Sequence, residues 1–263
     1  MLKKLLKYDL ESIFKFLLIF YSLALFFALL TRIFFSIENS FIMNIIGEIT
    51  SGATISMICS ILINNLMRLW VRFKNNFYGD ESYLTHTLPI DKKTLYLSKI
   101  LTSFITLFVS VLVIGITLFI AYFSKENITL IKNLLLPLVS ALDSTIIKIL
   151  LAFLFVFFLE FANALQSGFS GIILGHRMNN GKIGYSVMFG FITYMLTQVV
   201  VVVILFIVAL FNKDFMNLFV TTEIINLETV NLIIYLAIIS YTITLIGGYF
   251  VNTKLFQKGV NVE

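Results

Sequence analysis

Long apolar runs alternate with short polar breaks along this chain, and six of the runs reach about twenty residues or more, enough to cross roughly 30 Å of hydrocarbon as a helix. They predict spans over residues 13–35, 51–71, 100–123, 149–174, 185–211 and 232–251. The runs are continuous and lack the ten-residue alternation of a membrane barrel, so helices are expected. Only two prolines occur, Pro89 and Pro137, and most helices should therefore run unbroken.

The segment before the first span, MLKKLLKYDLESIFK, places Leu2, Leu5, Leu6, Leu10 and Ile13 on one helical face, with Lys3, Lys4, Lys7 and Glu11 elsewhere. Two readings fit it. One is an amphipathic helix over 1–12 lying along the inner membrane surface and joined to the first span by an elbow; the other is the plain start of that span. Basic residues precede an apolar run here without a small-residue cleavage site, so a retained helix is expected and not a signal peptide. Residues 124–148 carry apolar positions broken by Lys132, Pro137 and Asp143, and are expected to dip into the outer interface without crossing. The whole chain, 1–263, reads as one transmembrane domain.

Composition identifies the solvent. Hydrophobic residues make up 59% of the chain and charged ones 13%, with 28 Phe among 263 residues, and the mean hydropathy is +1.00. A soluble globule of this length cannot hide so much apolar surface, whereas lipid can solvate it. The formal charge of +5 comes from basic residues flanking apolar runs, not from a patch suited to nucleic acid. With the N-terminus inside, fourteen of the nineteen Lys and Arg fall on the cytoplasmic side, which predicts that both termini are cytoplasmic. The single cysteine, Cys59, excludes an internal disulfide and reads as a small packing residue.

One long polar interruption, 72–99, separates the second and third spans. Gly79 breaks the preceding segment, Asp80 is a suitable N-cap for a helix starting at Glu81, and Pro89 ends it. Asp91 then caps a helix leading through Lys92 and Lys99 into the third span. The short helix would present Tyr83, Leu84 and Leu88 on roughly one side, either to a groove on a soluble protein or to lipid.

No catalytic set assembles. His86 and His176 lie in different loops without zinc-ligand spacing. The stretch Gly175-His-Arg-Met-Asn-Asn-Gly181-Lys182-Ile183 departs from a phosphate loop: it has five residues between its glycines, and Ile183 stands where Ser or Thr would hold magnesium. The chain is therefore not expected to be an enzyme or to hold a cofactor, and any nucleotide chemistry belongs to another chain.

The run Phe77-Tyr78-Gly79-Asp80-Glu81-Ser82-Tyr83-Leu84-Thr85-His86-Thr87-Leu88-Pro89, followed by Ser98-Lys99, resembles the signature of the ABC-2 type transporter permeases after their second span. The likeness extends in topology over the whole chain: a basic amphipathic start, six spans and a short basic tail. In that family this loop carries a coupling helix that docks into a separate ATPase subunit. The resemblance thus implies a coupling role for Asp80, Glu81, Tyr83, Leu84, His86, Leu88 and Pro89, with a weaker contact from the loop 176–184. It also implies ATP and magnesium on the ATPase partner and a second permease subunit, identical or related.

Span four holds a polar stripe: Glu160, Asn163, Ser167 and Ser170 recur at i, i+3, i+7 and i+10. If the span ends near Gly175, Glu160 lies fifteen positions deep, roughly 22 Å at helical rise. The stripe reads as a lining of the substrate path or as hydrogen bonding between helices; if the helix starts at Asp143, Glu160 snorkels to the surface instead. Ala164, Gly168, Gly171 and Gly175 supply small residues for close helix approach. Asn64, Asn65 and Arg68, near the inner end of span two, suit either a vestibule or the membrane interface.

The expectation is an all-α, six-span permease of an ABC exporter in a bacterial cytoplasmic membrane. Its cargo would be hydrophobic or amphipathic, most simply a peptide, with lipid as the alternative. A non-transporting scaffold or sensor is the rival reading.

Overall fold

The computed structural model describes residues 1–37, 40–141, 144–212, 215–216 and 227–258. Among these there are eight helices and no strand: α1 Leu2–Phe35, α2 Phe41–Tyr78, α3 Ser82–Thr87, α4 Lys92–Tyr122, α5 Lys125–Ala141, α6 Ile146–Gly175, α7 Lys182–Phe211 and α8 Leu227–Gln257. Six of them (α1, α2, α4, α6, α7 and α8) are long and apolar enough to cross a membrane. The protein is all-α and a multi-pass membrane protein. Asp143 and Lys213 lie outside the described residues.

Several helices outrun their predicted spans. α1 is one unbroken helix of 34 residues, about 51 Å long, with no elbow between 1–12 and the first span. No Gly or Pro interrupts that stretch, and its face carrying Asp9, Ile13 and Leu17 is buried, so packing holds the helix straight through. α2 has 38 residues and continues through 72–78, which hydropathy had assigned to the polar loop. Phe73 and Phe77, one turn apart, are buried together with Tyr78, so tertiary burial extends the helix to the first breaker, Gly79. The segment expected at the outer interface forms α5, and Pro137 lies inside it instead of breaking it. The residue whose carbonyl loses its helical partner to that proline, Asn133, is exposed, so water can satisfy it.

Contacts divide the chain into two units, Met1–Asn75 with Thr87–Thr129, and Asn76–His86 with Leu130–Glu263. In the first, α1 packs along α4. Polar side chains tie its helices together: the Tyr21 and Ser110 hydroxyls are 2.7 Å apart, and Asn65 Nδ2 donates to the same Ser110 oxygen at 2.8 Å. Thr31 and Thr54 pair at 3.1 Å. In the second unit α6 is central, packed on both α7 and α8. It starts at Thr145, whose side chain accepts the Lys148 backbone N–H, a standard N-cap.

The two glycines of the discarded phosphate loop have structural explanations. A Cβ on Gly175 would lie 2.4 Å from the Ser186 backbone nitrogen, so only glycine admits α7 this close. Gly181 starts α7 with φ +66°, in the left-handed region that glycine adopts without strain.

Candidate functional site

The motif after α2 is built on buried aromatics. Phe77 and Tyr78 end the helix with almost no exposure. The Phe77 ring meets Phe256 of α8 at 4.7 Å between centroids, and the Tyr78 ring meets His176, just past α6, at 4.4 Å. His176 is itself buried, and its Nδ1 donates to the Ile172 carbonyl at 2.9 Å. Arg177 donates to the Leu255 carbonyl at 2.6 Å. Within the second unit, then, the root of the loop is packed on the adjoining ends of α6 and α8.

From that root the chain turns at Gly79, whose carbonyl accepts the Ser82 N–H at 2.9 Å. α3 begins at Ser82, one residue later than predicted, and Glu81 takes the cap position while Asp80 lies in the turn. The Gly79 carbonyl bond occupies the first helical donor, which moves the start. α3 ends at Thr87, so Leu88 falls just past it as the residue before Pro89, a position pushed out of helical geometry. Tyr83 and Leu84 are 66% and 74% exposed, and Leu88 44%. Asp80, Glu81 and Pro89 are exposed as well. His86 behaves differently: its Nε2 donates back to the Phe77 carbonyl at 3.2 Å, so it braces the loop and is only half-buried. Asp91 sits at the N-cap of α4, but its side chain makes no cap hydrogen bond.

The second cluster runs through the middle of α6. Glu160 is the fifteenth of its thirty residues, about 21 Å from either end. Its Oε1 accepts from the Tyr194 hydroxyl at 2.5 Å and from Gln198 Nε2 at 2.9 Å. Asn163 donates to the Leu159 and Tyr241 carbonyls, both at 3.0 Å, and accepts from Thr244 at 2.9 Å. Ser170 donates to Asn252 Oδ1 at 2.8 Å, and Asn252 donates to the Gln166 carbonyl at 3.3 Å. Asn163, Ser167 and Ser170 are buried, while Glu160 retains some exposure. The stripe is thus brought together against α7 and α8, and most of it acts as hydrogen-bonded contact between helices in this unit.

Periodicity had not singled out a third cluster. Asp9 of α1 is 3% exposed. Its Oδ1 accepts from Arg72 Nε at 2.7 Å and its Oδ2 from Lys99 Nζ at 2.6 Å, and Arg72 Nη1 also donates to Ser12 Oγ at 2.9 Å. Arg72 and Lys99 bound the polar stretch 72–99, so one carboxylate holds both of its ends. The available signal was a lone acid among the apolar positions of the N-terminal helix. Phe77 and Tyr78 were likewise visible only as an aromatic pair before a glycine.

Among the described residues no group of three or more His, Cys, Asp or Glu could hold a metal. No family model, no curated protein and no solved structure matches this chain, and its functional reading rests on its own residues.

Proposed function

We propose that this chain is the membrane-spanning subunit of an ATP-driven exporter of the ABC-2 type, coupled through α3 to a separate cytoplasmic ATPase. The observation that carries this reading is the pairing of exposed Tyr83 and Leu84 on α3 with a buried aromatic root at Phe77 and Tyr78. Exposed apolar side chains on a short, anchored helix suit the groove of a soluble partner. Their setting, in a run resembling the permease signature and in the loop richest in basic residues, supports a cytoplasmic position for that partner. Both termini then lie on the same side, in a bacterial cytoplasmic membrane. ATP and magnesium belong to the partner, and this subunit has no catalytic role of its own.

A second permease, identical or related, completes the path, because six helices are few to enclose one. The cargo is hydrophobic or amphipathic, with a peptide favoured, since the spans offer many Phe, Leu and Ile surfaces and few charges. Glu160, with Tyr194 and Gln198 bonded to it, is the polar point along that route.

Affinity purification of the tagged chain from mild detergent tests the reading. Recovery of an ATPase subunit, lost on Leu84→Asp with Leu88→Asp, is the expected result. Recovery of the intact chain alone, or with a partner lacking a nucleotide site, would overturn it and favour a scaffold.

A further inference from the structure

Among the described residues, Arg68 of α2 has no anionic partner. Its guanidinium carbon lies 5.3 Å from the centre of the Phe16 ring of α1, and its Nε is buried with no hydrogen-bond partner among the described residues. None of the ion pairs among those residues includes it. One helical turn further along α2, Arg72 shares Asp9 with Lys99, so that carboxylate is already taken by two other cations. A ring face attracts a cation but accepts none of its N–H bonds well, and a buried donor left unmade is costly. Arg68 as a whole is only half-buried, and a guanidinium at such a site takes an oxyanion well.

We propose that Arg68 binds the phosphate of an anionic phospholipid. Arg68 lies where the apolar run of α2 gives out, two residues before Trp70, the only tryptophan of the chain. Trp in membrane helices marks headgroup depth. Ile63, Met67 and Val71, at i−5, i−1 and i+3 from Arg68, are exposed large apolar side chains. They form a bare apolar track on which an acyl chain can lie while the guanidinium fork takes two phosphate oxygens. A free phosphate has the same oxygens but no use for the track. The excess of cations over Asp9 favours a headgroup with net negative charge, since basic pockets among membrane helices select such lipids. The inference does not depend on the exporter reading.

Native mass spectrometry of the chain purified in a neutral detergent tests it, with phosphatidylglycerol, phosphatidylcholine and inorganic phosphate as probes. Wild type should retain phosphatidylglycerol in preference to phosphatidylcholine, and Arg68→Gln should weaken that retention about fivefold, as expected for one basic contact near the surface. Arg68→Lys should fall between them, and Arg32→Gln, at the opposite end of α1, should match wild type. Equal retention of the two lipids by wild type would overturn the proposal and needs no variant to fold. Undiminished phosphatidylglycerol on a folded Arg68→Gln would overturn it too. Displacement of the lipid by millimolar inorganic phosphate would assign the site to a free anion instead.

Discussion

Asp9 and Lys99 form a buried ion pair, Oδ2 to Nζ 2.6 Å, across ninety positions of sequence. Arg72 completes it from the other oxygen, so α1, α2 and α4 meet at one carboxylate. Removing that acid leaves two cations in a largely dry site, and breaking such a pair costs about 3 kcal/mol or more. Asp9→Asn should therefore lower the thermal midpoint of the purified chain well below that of Glu11→Gln, whose Lys15 pair is exposed. The exchange Asp9→Lys with Lys99→Asp should recover part of the loss. A midpoint unchanged in Asp9→Asn would show that the pair contributes nothing.

Gly171 faces α7 so closely that a Cβ would lie 2.4 Å from the Gly190 backbone nitrogen and from the Ser186 carbonyl oxygen. Backbone atoms cannot swing aside as a side chain can. Gly171→Val should cost about 3 kcal/mol or more through overpacking, whereas Gly184→Ala, with none of the described residues within 4 Å of its Cβ, should be neutral or slightly stabilising. Thermal unfolding followed by circular dichroism separates the two.

Asn163 ties α6 to α8 through Tyr241 and Thr244, while Thr197, among the described residues, bonds within its own helix. Hydrogen bonds between membrane helices contribute about 1 kcal/mol each. Asn163→Ala should thus lower stability measurably, and Thr197→Ala should not.

Leu84 is exposed, and Leu84→Asp should leave stability within about 0.5 kcal/mol while abolishing recovery of the proposed ATPase. If the variant unfolds, the leucine has a structural role and the docking interpretation fails.

Glu160 offers a test that separates the proposed transport from mere docking. Glu160→Gln preserves the side-chain shape and can still meet Tyr194 and Gln198, so the chain should fold and keep the proposed ATPase partner. Export measured in reconstituted vesicles should nevertheless fall. A scaffold would lose nothing from this substitution and everything from Leu84→Asp.

Much of this was legible in the residue order. The six membrane helices, the turn at Gly79, the end of α3 before Pro89 and the exposure of Leu84 follow from local properties: hydropathy summed over a helix length, and the dihedral limits of Gly and Pro. The polar stripe of α6 was visible as a period, but not its partners. Those depend on how each helix is rotated about its axis and which neighbours it meets, and periodicity along one helix carries no information about either. Tertiary packing alone decided that Asp9 reaches Arg72 and Lys99, that Phe77 and Tyr78 root the loop on Phe256 and His176, and that His86 turns back to brace it. It also decided that α1 runs straight through its polar start, because burial of Asp9 and Ile13 on one face outweighs the local change in hydropathy.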